Sequence, residues 1–585
     1  MRDIPRPEHP RPSFFRESWE NLNGEWEFCA DPGASGEEKK FYLCDRFDSA
    51  ITVPFCKESP LSGIGDTDFC ESVWYAKNID ISESALGGRV LFHVGACDHK
   101  ATVYVNGVLA GAHSGGYSSF TLDITDSLKA GKNRVVIHAE DHTRNKKQPC
   151  GKQSQKYSSY GCFYTRTTGI WQTVWLEFVP DVYMERVKVT SDDLDGTVIL
   201  ETTLNKYCSD AVLLAEVYLE GNKICSEEYR LSGRVTTQTL KVSPVVLWEP
   251  GKGNIYRIRY TLLKDGSASD IAEGYFGIRR IDIDGYRVLI NGKPVFQRLI
   301  LDQGFYPDGI YTAPSDEILR RDIELSMSLG FNGARLHQKV FEERYLYHAD
   351  MLGYLVWGEF PSWGIDISDP AELHTFLPEW LECVKRDEGH PSIIGWCPYN
   401  ETWDEDGRAQ CNTNISLIYD VTKACDPTRP VIDTSGNYHT AGTDIYDIHD
   451  YCGDPEIFRE RYRAHAEGKF FETFPDRQKY DGKLPFFVSE YGGIFWSGCK
   501  PDGSGWGYGD APKSEEEFCD RYCGLTEALM SAGNICGFCY TQLTDVEQEQ
   551  NGLYRYDRSK KLSDASYERI RAVNSSPAEI EKIEK

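Results

Sequence analysis

Apolar positions change rhythm twice along the chain. Up to about residue 180 they alternate with polar ones in short runs, the period of half-buried strands, at residues 89–95, 101–105, 120–124 and 133–138. Asn106-Gly107, lodged between two such runs, is the signal of a type I′ hairpin, and residues 171–178 close the unit. The pattern predicts a jelly-roll-like β-sandwich over residues 1–180. Residues 181–277 repeat the alternation on a smaller scale, with strands at 198–204, 211–219 and 255–263 and turns at Glu220-Gly221-Asn222 and Asp265-Gly266. This predicts an immunoglobulin-like sandwich, and without clustered His, Cys or paired acids it reads as a spacer.

From about residue 278 short apolar runs alternate with longer amphipathic ones. Strands are predicted at 296–301, 331–337, 354–359, 393–400, 431–435, 445–449, 486–490 and 535–540. Helical periodicity lies between most of them, as at 371–388, 415–425 and 515–532. The first helix starts at Ser315, a good N-cap followed by Asp316 and Glu317, carries Leu319, Ile323 and Met327 as its stripe, and ends at Gly330. Eight such repeats describe a closed (β/α)8 TIM barrel over 278–585, and a doubly wound sheet is the weaker alternative.

Composition narrows the function classes. A chain of 585 residues with 40% hydrophobic and 13% aromatic content builds several cores, and a formal net charge of −27 argues against nucleic acid and anionic membrane surfaces as partners. The first ten residues lack an apolar h-region and no run reaches about 18 apolar residues, so the expectation is a cytoplasmic protein that does not span a membrane. Nineteen cysteines are scattered through apolar runs, as at Cys44, Cys97, Cys397 and Cys425, which suits reduced thiols. Cys536-Gly-Phe-Cys539 has the spacing of a redox or zinc pair but lacks a second pair and falls in a predicted strand, so core packing is expected. The polar stretch 141–164 is long for a connection, and its Tyr157, Tyr160, Phe163 and Tyr164 suggest an ordered, functional loop.

Barrel chemistry collects at the carboxyl ends of the strands. There the sequence offers Asp302 and Gln303, Arg335 and His337, Glu359, Asn400 and Glu401, Asn437, His449 and Tyr451, Glu490 and Tyr491, and Gln542 and Asp545, with Trp357, Trp363, Trp396 and Trp403 among them. Two apolar runs end alike, one in Asn400-Glu401 and one in Ser489-Glu490. Aromatic faces beside carboxylates and amides suit a sugar, whose C–H face stacks while its hydroxyls bond. A phosphate-cradling glycine loop, a Gly-x-Ser-x-Gly elbow and a His-Glu-x-x-His helix are all absent from the sequence.

These features resemble glycoside hydrolase family 2. The N-terminal stretch from Arg11 to Trp26 and the stretches Val53-Pro-Phe-Cys-Lys-Glu-Ser-Pro60 and Val73-Trp-Tyr75 resemble that family's sugar-binding domain, and the three domains come in its order. The resemblance implies a retaining exo-β-glycosidase with Glu401 as general acid/base and Glu490 as nucleophile, needing neither cofactor nor metal. It further implies that Asn400 bonds the sugar 2-hydroxyl, that Tyr451 steadies the nucleophile, and that Arg335 and His337 lie beside the site. His449, Asp302, Gln542 and Trp403 complete the expected substrate-binding set. Glu401 is expected to stay protonated, through apolar neighbours such as Trp403 and the charge of Glu490.

For the sugar, glucuronidases of that family carry an Asn-x-Lys pair after strand eight. Here Asn551 is followed by Gly552 and Leu553, and Asp545, Glu547 and Glu549 crowd the segment. A neutral β-D-galactoside is therefore expected, with a β-galacturonide, β-glucuronide or arabinoside as alternatives. A small carbohydrate is the expected partner, and a homo-oligomer is compatible with the sequence. A barrel enzyme of other chemistry, or a silent carbohydrate-binding protein, are the competing classes, and hydrolysis of an aryl glycoside separates them.

Overall fold

The computed structural model describes residues 4–404, 407–497 and 505–582. The N-terminal sandwich pairs a six-stranded sheet with a four-stranded one. The larger runs in the order Ser49–Val53, Gly24–Ala30, Ser72–Ile81, Gly131–Glu140, Lys100–Val105 and Val108–Ser114. The smaller runs Trp19–Asn21, Val174–Val179, Arg89–Val94 and Phe120–Asp123. Strand Ser72–Ile81, apolar on both faces at its start, serves two cores. Val73, Tyr75, Ile79 and Ile81 enter the inter-sheet core, whereas Trp74 and Ala76 join a separate cluster on the other face.

The second domain has seven strands in sheets of three and four, closed over Leu200, Leu213, Val217, Ile258 and Leu262. A short antiparallel sheet, Ile281–Asp284, Arg287–Ile290 and Lys293–Pro294, then packs Ile281, Val288 and Ile290 onto the inner core of the barrel.

The barrel strands are Gln297–Asp302, Gly333–Leu336, Leu355–Glu359, Ile393–Cys397 with Tyr399–Asn400, Thr434–Ser435, Tyr446–Asp450, Phe486–Gly492 and Ile535–Thr541. All their ladders are parallel, and the first strand pairs with the eighth. Side chains alternate between two cores. Ile394 and Cys397 face the interior with Leu299, Trp357 and Phe487, while Ile393 and Trp396 face the helices. Gly395 fits this strand because a Cβ there would meet the Trp357 ring at 2.4 Å.

Strand five is thinner than its apolar run suggested, reduced to Thr434–Ser435 and a bridge at Val431. Among the described residues no helix separates it from strand six. Side chains close that seam instead, with Ser435 Oγ and the Gly436 amide donating to Asp447 Oδ2 at 2.7 and 3.0 Å.

The first sandwich is seated on the barrel mouth. Thr312 Oγ1 donates to the carbonyls of Trp171 and Pro54 at 2.6 and 3.2 Å, and the Tyr117 amide donates to Glu379 at 2.7 Å. Both cysteines of the Cys536/Cys539 pair are buried in strand eight and neither forms a disulfide. No described helix is long and apolar enough to cross a membrane.

Candidate active site

Strand four delivers Asn400 and Glu401, strand six His449 and Tyr451, and strand seven Glu490 to one point of the mouth. Glu401 sits in the left-handed region at φ +43, a conformation that non-glycine residues hold only where the surroundings enforce it. Its amide is pinned to the Ser435 carbonyl at 2.9 Å. Donor atoms of Glu401, His449 and Glu490 all lie within 4.8 Å of one another. His449 stands between the carboxylates, its Nδ1 2.7 Å from Glu401 Oε1 and its Nε2 3.4 Å from Glu490 Oε1.

Glu490 is the more enclosed carboxylate. Arg335 donates to it at 3.2 Å, the Tyr451 hydroxyl donates to its other oxygen, and Tyr508 stacks on the Tyr451 ring with centroids 3.5 Å apart. The remaining Arg335 donors go to the Ser489 carbonyl at 2.7 Å, Glu359 at 2.7 Å and Asn400 Oδ1 at 3.1 Å. His337 Nδ1 lies 3.1 Å from Glu359 and 3.7 Å from Glu490. With its oxygen taken by Arg335, Asn400 keeps a buried Nδ2 without a partner, a donor facing the site. A divalent cation fits this triad poorly, because the Arg335 guanidinium already stands against Glu490.

Burial alone would raise both carboxyls, yet neighbouring charges hold both below the usual range. For Glu490 the opposing groups are His449, His337 and Arg335. Burial also pushes His337 down, so at neutral pH His449 and Arg335 carry the effect. For Glu401 they are the His449 hydrogen bond and charge, followed by Lys152. Burial would lower His449, but the charges of Glu490 and Glu401 raise it above the ordinary histidine range. These directions run against the expectation that Glu401 alone holds the proton: the Glu401–His449 pair shares one, with the histidine favoured. Trp403, expected to shield Glu401, is 47% exposed and packs edge-on against Phe474.

Two other expected residues make no recorded contact with the Glu401–Glu490 pair. Asp302 is buried, takes the Gly304 amide at 2.9 Å, and faces the Asp322, Arg558 and Lys339 charges rather than the carboxylate pair. Gln542 donates to Asn551 at 2.8 Å, and Asn551 to Glu549 at 2.9 Å.

Of the three acids after strand eight, one is paired with a cation and two accept from neutral donors. Lys561 pairs with Asp545, the Thr165 amide donates to Glu547 at 3.0 Å, and the Tyr164 hydroxyl donates to Glu549. The argument from those acids toward a neutral sugar is weakened at Asp545, whose charge is offset.

The partners of Glu547 and Glu549, Thr165 and Tyr164, lie at the end of the loop 141–164, which reaches the mouth. Trp506 Nε1 and Gln548 Nε2 donate to the Gly161 carbonyl at 2.8 and 2.7 Å, and Phe163 packs on Trp363 with centroids 5.4 Å apart. Trp363 in turn donates to the Asn400 carbonyl at 2.9 Å. Lys152 lies over the Trp363 ring, 4.0 Å from its centroid. Lys152 and Tyr508 are the site residues that sequence reasoning passed over, whereas Glu359, at a strand end, was among those it named.

The chain matches three family models. They are described as the TIM barrel domain of glycosyl hydrolases family 2, at residues 315–499, its sugar binding domain, at 64–175, and glycosyl hydrolases family 2, at 182–279. A β-galactosidase of Thermoanaerobacter pseudethanolicus is 26% identical over 397 residues, 66% of this chain and 52% of that protein. A putative β-glucuronidase of Formosa agariphila is 26% identical over 434 residues, 72% of this chain and 50% of that protein. The chain thus spans about half the length of these two relatives. The β-glucuronidase from Ruminococcus gnavus in complex with D-glucuronic acid superposes with a TM-score of 0.78 at 19% identity. The match covers 97% of this chain and 100% of that one, a likeness of fold.

Proposed function

As the chain belongs to glycosyl hydrolase family 2, we propose that it is a retaining exo-β-glycosidase acting on terminal β-hexuronides. The observation that carries the reaction class is the Glu401–Glu490 pair, with oxygens within 4.8 Å across His449. Carboxyls about 5–5.5 Å apart suit double displacement, because no room is left between them and the sugar for an attacking water.

In this reading Glu490, held ionised by Arg335 and Tyr451, attacks the anomeric carbon. The proton passes from His449 to Glu401 across the 2.7 Å contact and from Glu401 to the leaving oxygen, which leaves Glu401 ionised and His449 neutral. Formation of the glycosyl ester removes the charge of Glu490, lowers the proton affinity of the Glu401–His449 pair, and so makes Glu401 the base that activates water. The unpartnered Asn400 Nδ2 supplies a donor to a ring hydroxyl. The loop 141–164 walls one side, which favours terminal sugars over internal ones.

The hexuronide reading is supported by relatives named β-glucuronidases and by the Lys561–Asp545 pair, which offsets one of the three acids after strand eight. A neutral β-galactoside is the second reading, favoured by the relative named β-galactosidase. The experiment compares p-nitrophenyl β-D-galacturonide, β-D-glucuronide and β-D-galactopyranoside on the wild type, and follows Glu490→Ala with added azide. A preferred uronide and an α-configured glycosyl azide are expected. Preference for the galactoside overturns the hexuronide reading, and a β-configured azide product overturns the assignment of Glu490.

A further inference from the structure

Among the charged side chains around the mouth, one is buried without an ionic partner. Lys152 is 6% exposed, and among the described residues no carboxylate lies within salt-bridge distance of its Nζ and no hydrogen-bond acceptor is recorded for it. Its partial loss of hydration costs free energy unless something compensates it, while the Nζ itself, not fully enclosed, stays open to a ligand. Its one recorded contact is the face of Trp363, a partial compensation. The other cations nearby are committed. Arg335 spends its donors on Ser489, Glu490, Glu359 and Asn400. Lys339 gives its own to the Gly304 and Tyr311 carbonyls at 2.5 and 2.7 Å, and Lys561 gives its own to Asp545 and two carbonyls.

Lys152 is also held in place. The Cys150 and Gly151 amides donate to the Trp363 carbonyl at 2.7 and 3.0 Å, and the Tyr164 amide to the Lys152 carbonyl at 2.8 Å. A Cβ at Gly151 would meet the Gln338 carbonyl at 2.3 Å, so the backbone is pressed onto the barrel there. The next residue, Gln153, is anchored from below by its donations to Asp98 and Tyr117 at 2.7 and 3.0 Å. The Trp363 ring beneath the ammonium donates to the Asn400 carbonyl at 2.9 Å, next to Glu401, and Cys162, Glu549, Glu401 and Glu490 favour the charged lysine against its burial.

We propose that Lys152, delivered by the N-terminal sandwich and not by the barrel, is the cation that receives the C6 carboxylate of a terminal hexuronic acid. This rests on the hexuronide reading above and assigns its specificity to one residue. A carboxylate entering a mouth that already holds Glu401, Glu490 and Glu549 needs an unspent positive charge, and among the described residues Lys152 supplies it. Because it is an ammonium on a flexible stem rather than a guanidinium fork, it selects for charge more than for the C4 configuration. Galacturonides and glucuronides should both depend on it.

The test is Lys152→Met, with nearly the same stem and no charge, beside Lys152→Arg, assayed on the galacturonide, the glucuronide and the neutral galactoside. In Lys152→Met the loss in kcat/KM should be at least about 30-fold greater for the better uronide than for the galactoside, and it should appear chiefly in KM. Lys152→Arg should recover most of the uronide activity. Near-ultraviolet circular dichroism of each variant separates misfolding from lost recognition, and Lys152→Arg carries the test if Lys152→Met does not fold. Equal losses on charged and neutral substrates, or a Lys152→Arg enzyme as poor on uronides as on the galactoside, overturn the assignment of Lys152 and leave the hexuronide reading intact. A wild type that does not hydrolyse uronides removes that reading and this one together.

Discussion

Replacing Glu490 by Gln removes one negative charge from the carboxylate–histidine–carboxylate cluster and keeps its shape. The remaining pair, Glu401 and His449, shares a proton across 2.7 Å, and both partners feel Glu490. At a separation of 4.8 Å, the outer limit of the cluster, and an effective dielectric of about 20, one unit charge contributes roughly 3.5 kcal/mol, or about 2.5 pH units. The sign is fixed: losing a nearby anion makes the shared proton easier to remove, so the apparent pKa of the pair falls. With 13 histidines in the chain, isotope-labelled imidazole resonances are few enough to follow, and His449→Gln identifies the one that matters. Its titration midpoint should lie above the ordinary histidine value in the wild type and fall by about 2 pH units or more in Glu490→Gln. Trapping Glu490 as a 2-fluoroglycosyl ester should move it in the same direction, because the ester is also uncharged. A shift below about half a unit in both would show that His449 does not sense Glu490, and the proton-sharing mechanism would fail with it.

Two further expectations follow from the same electrostatics. Glu401→Ala should lose about 100-fold or more on substrates with poor leaving groups and far less on activated aryl glycosides, since acid assistance matters least there. Equal losses on both would remove Glu401 from the acid/base role. Glu379, which holds the Tyr117 amide at the sandwich–barrel seam, is pushed up to about 8 by burial. A raised carboxyl contributes stability that is present below its unfolded value of about 4.3 and is lost as pH rises through about 8. Thermal unfolding of the wild type should therefore worsen between pH 5.5 and 8.5 by about 2–4 kcal/mol more than that of Glu379→Gln. Parallel pH profiles for the two proteins would exclude Glu379 as the cause.

What the sequence revealed depended on whether burial could be read locally. A parallel strand covered on both faces appears as an apolar run, and its polar end marks the barrel mouth, so Asn400-Glu401 and Ser489-Glu490 were legible without any structure. Strand five was less so. The run 431–435 contains Asp433, Thr434 and Ser435, and these polar groups signal a seam. There Asp433 and Asp447 bracket the buried His439, 2.7 Å from one and 3.1 Å from the other, so side chains do work that a backbone ladder does elsewhere. The protonation of Glu401 was misjudged because its controlling neighbour, His449, is 48 positions away along the chain and Trp403 only two.

The harder failure concerned sign. Asp545, Glu547 and Glu549 read as an unpartnered negative wall because the one counter-charge and the two neutral donors they meet lie elsewhere in sequence. Lys561 follows at the far side of a turn, while Thr165 and Tyr164 belong to another domain. Lys152 is invisible for the converse reason. Lys146, Lys147, Lys152 and Lys156 all occur in one polar loop, and nothing local separates the buried one from its neighbours. What separates it is the docking of residues 150–151 onto the Trp363 carbonyl, which turns a loop residue into part of the barrel's mouth. Charge at a composite site is thus a property of the domain interface. If so, loosening that interface should relax uronide selectivity even with Lys152 in place. Trp363→Ala removes both the ring under the ammonium and the bond to the Asn400 carbonyl. It should therefore lower the uronide-to-galactoside ratio of kcat/KM by about 10-fold, and an unchanged ratio would mean that Lys152 needs no platform.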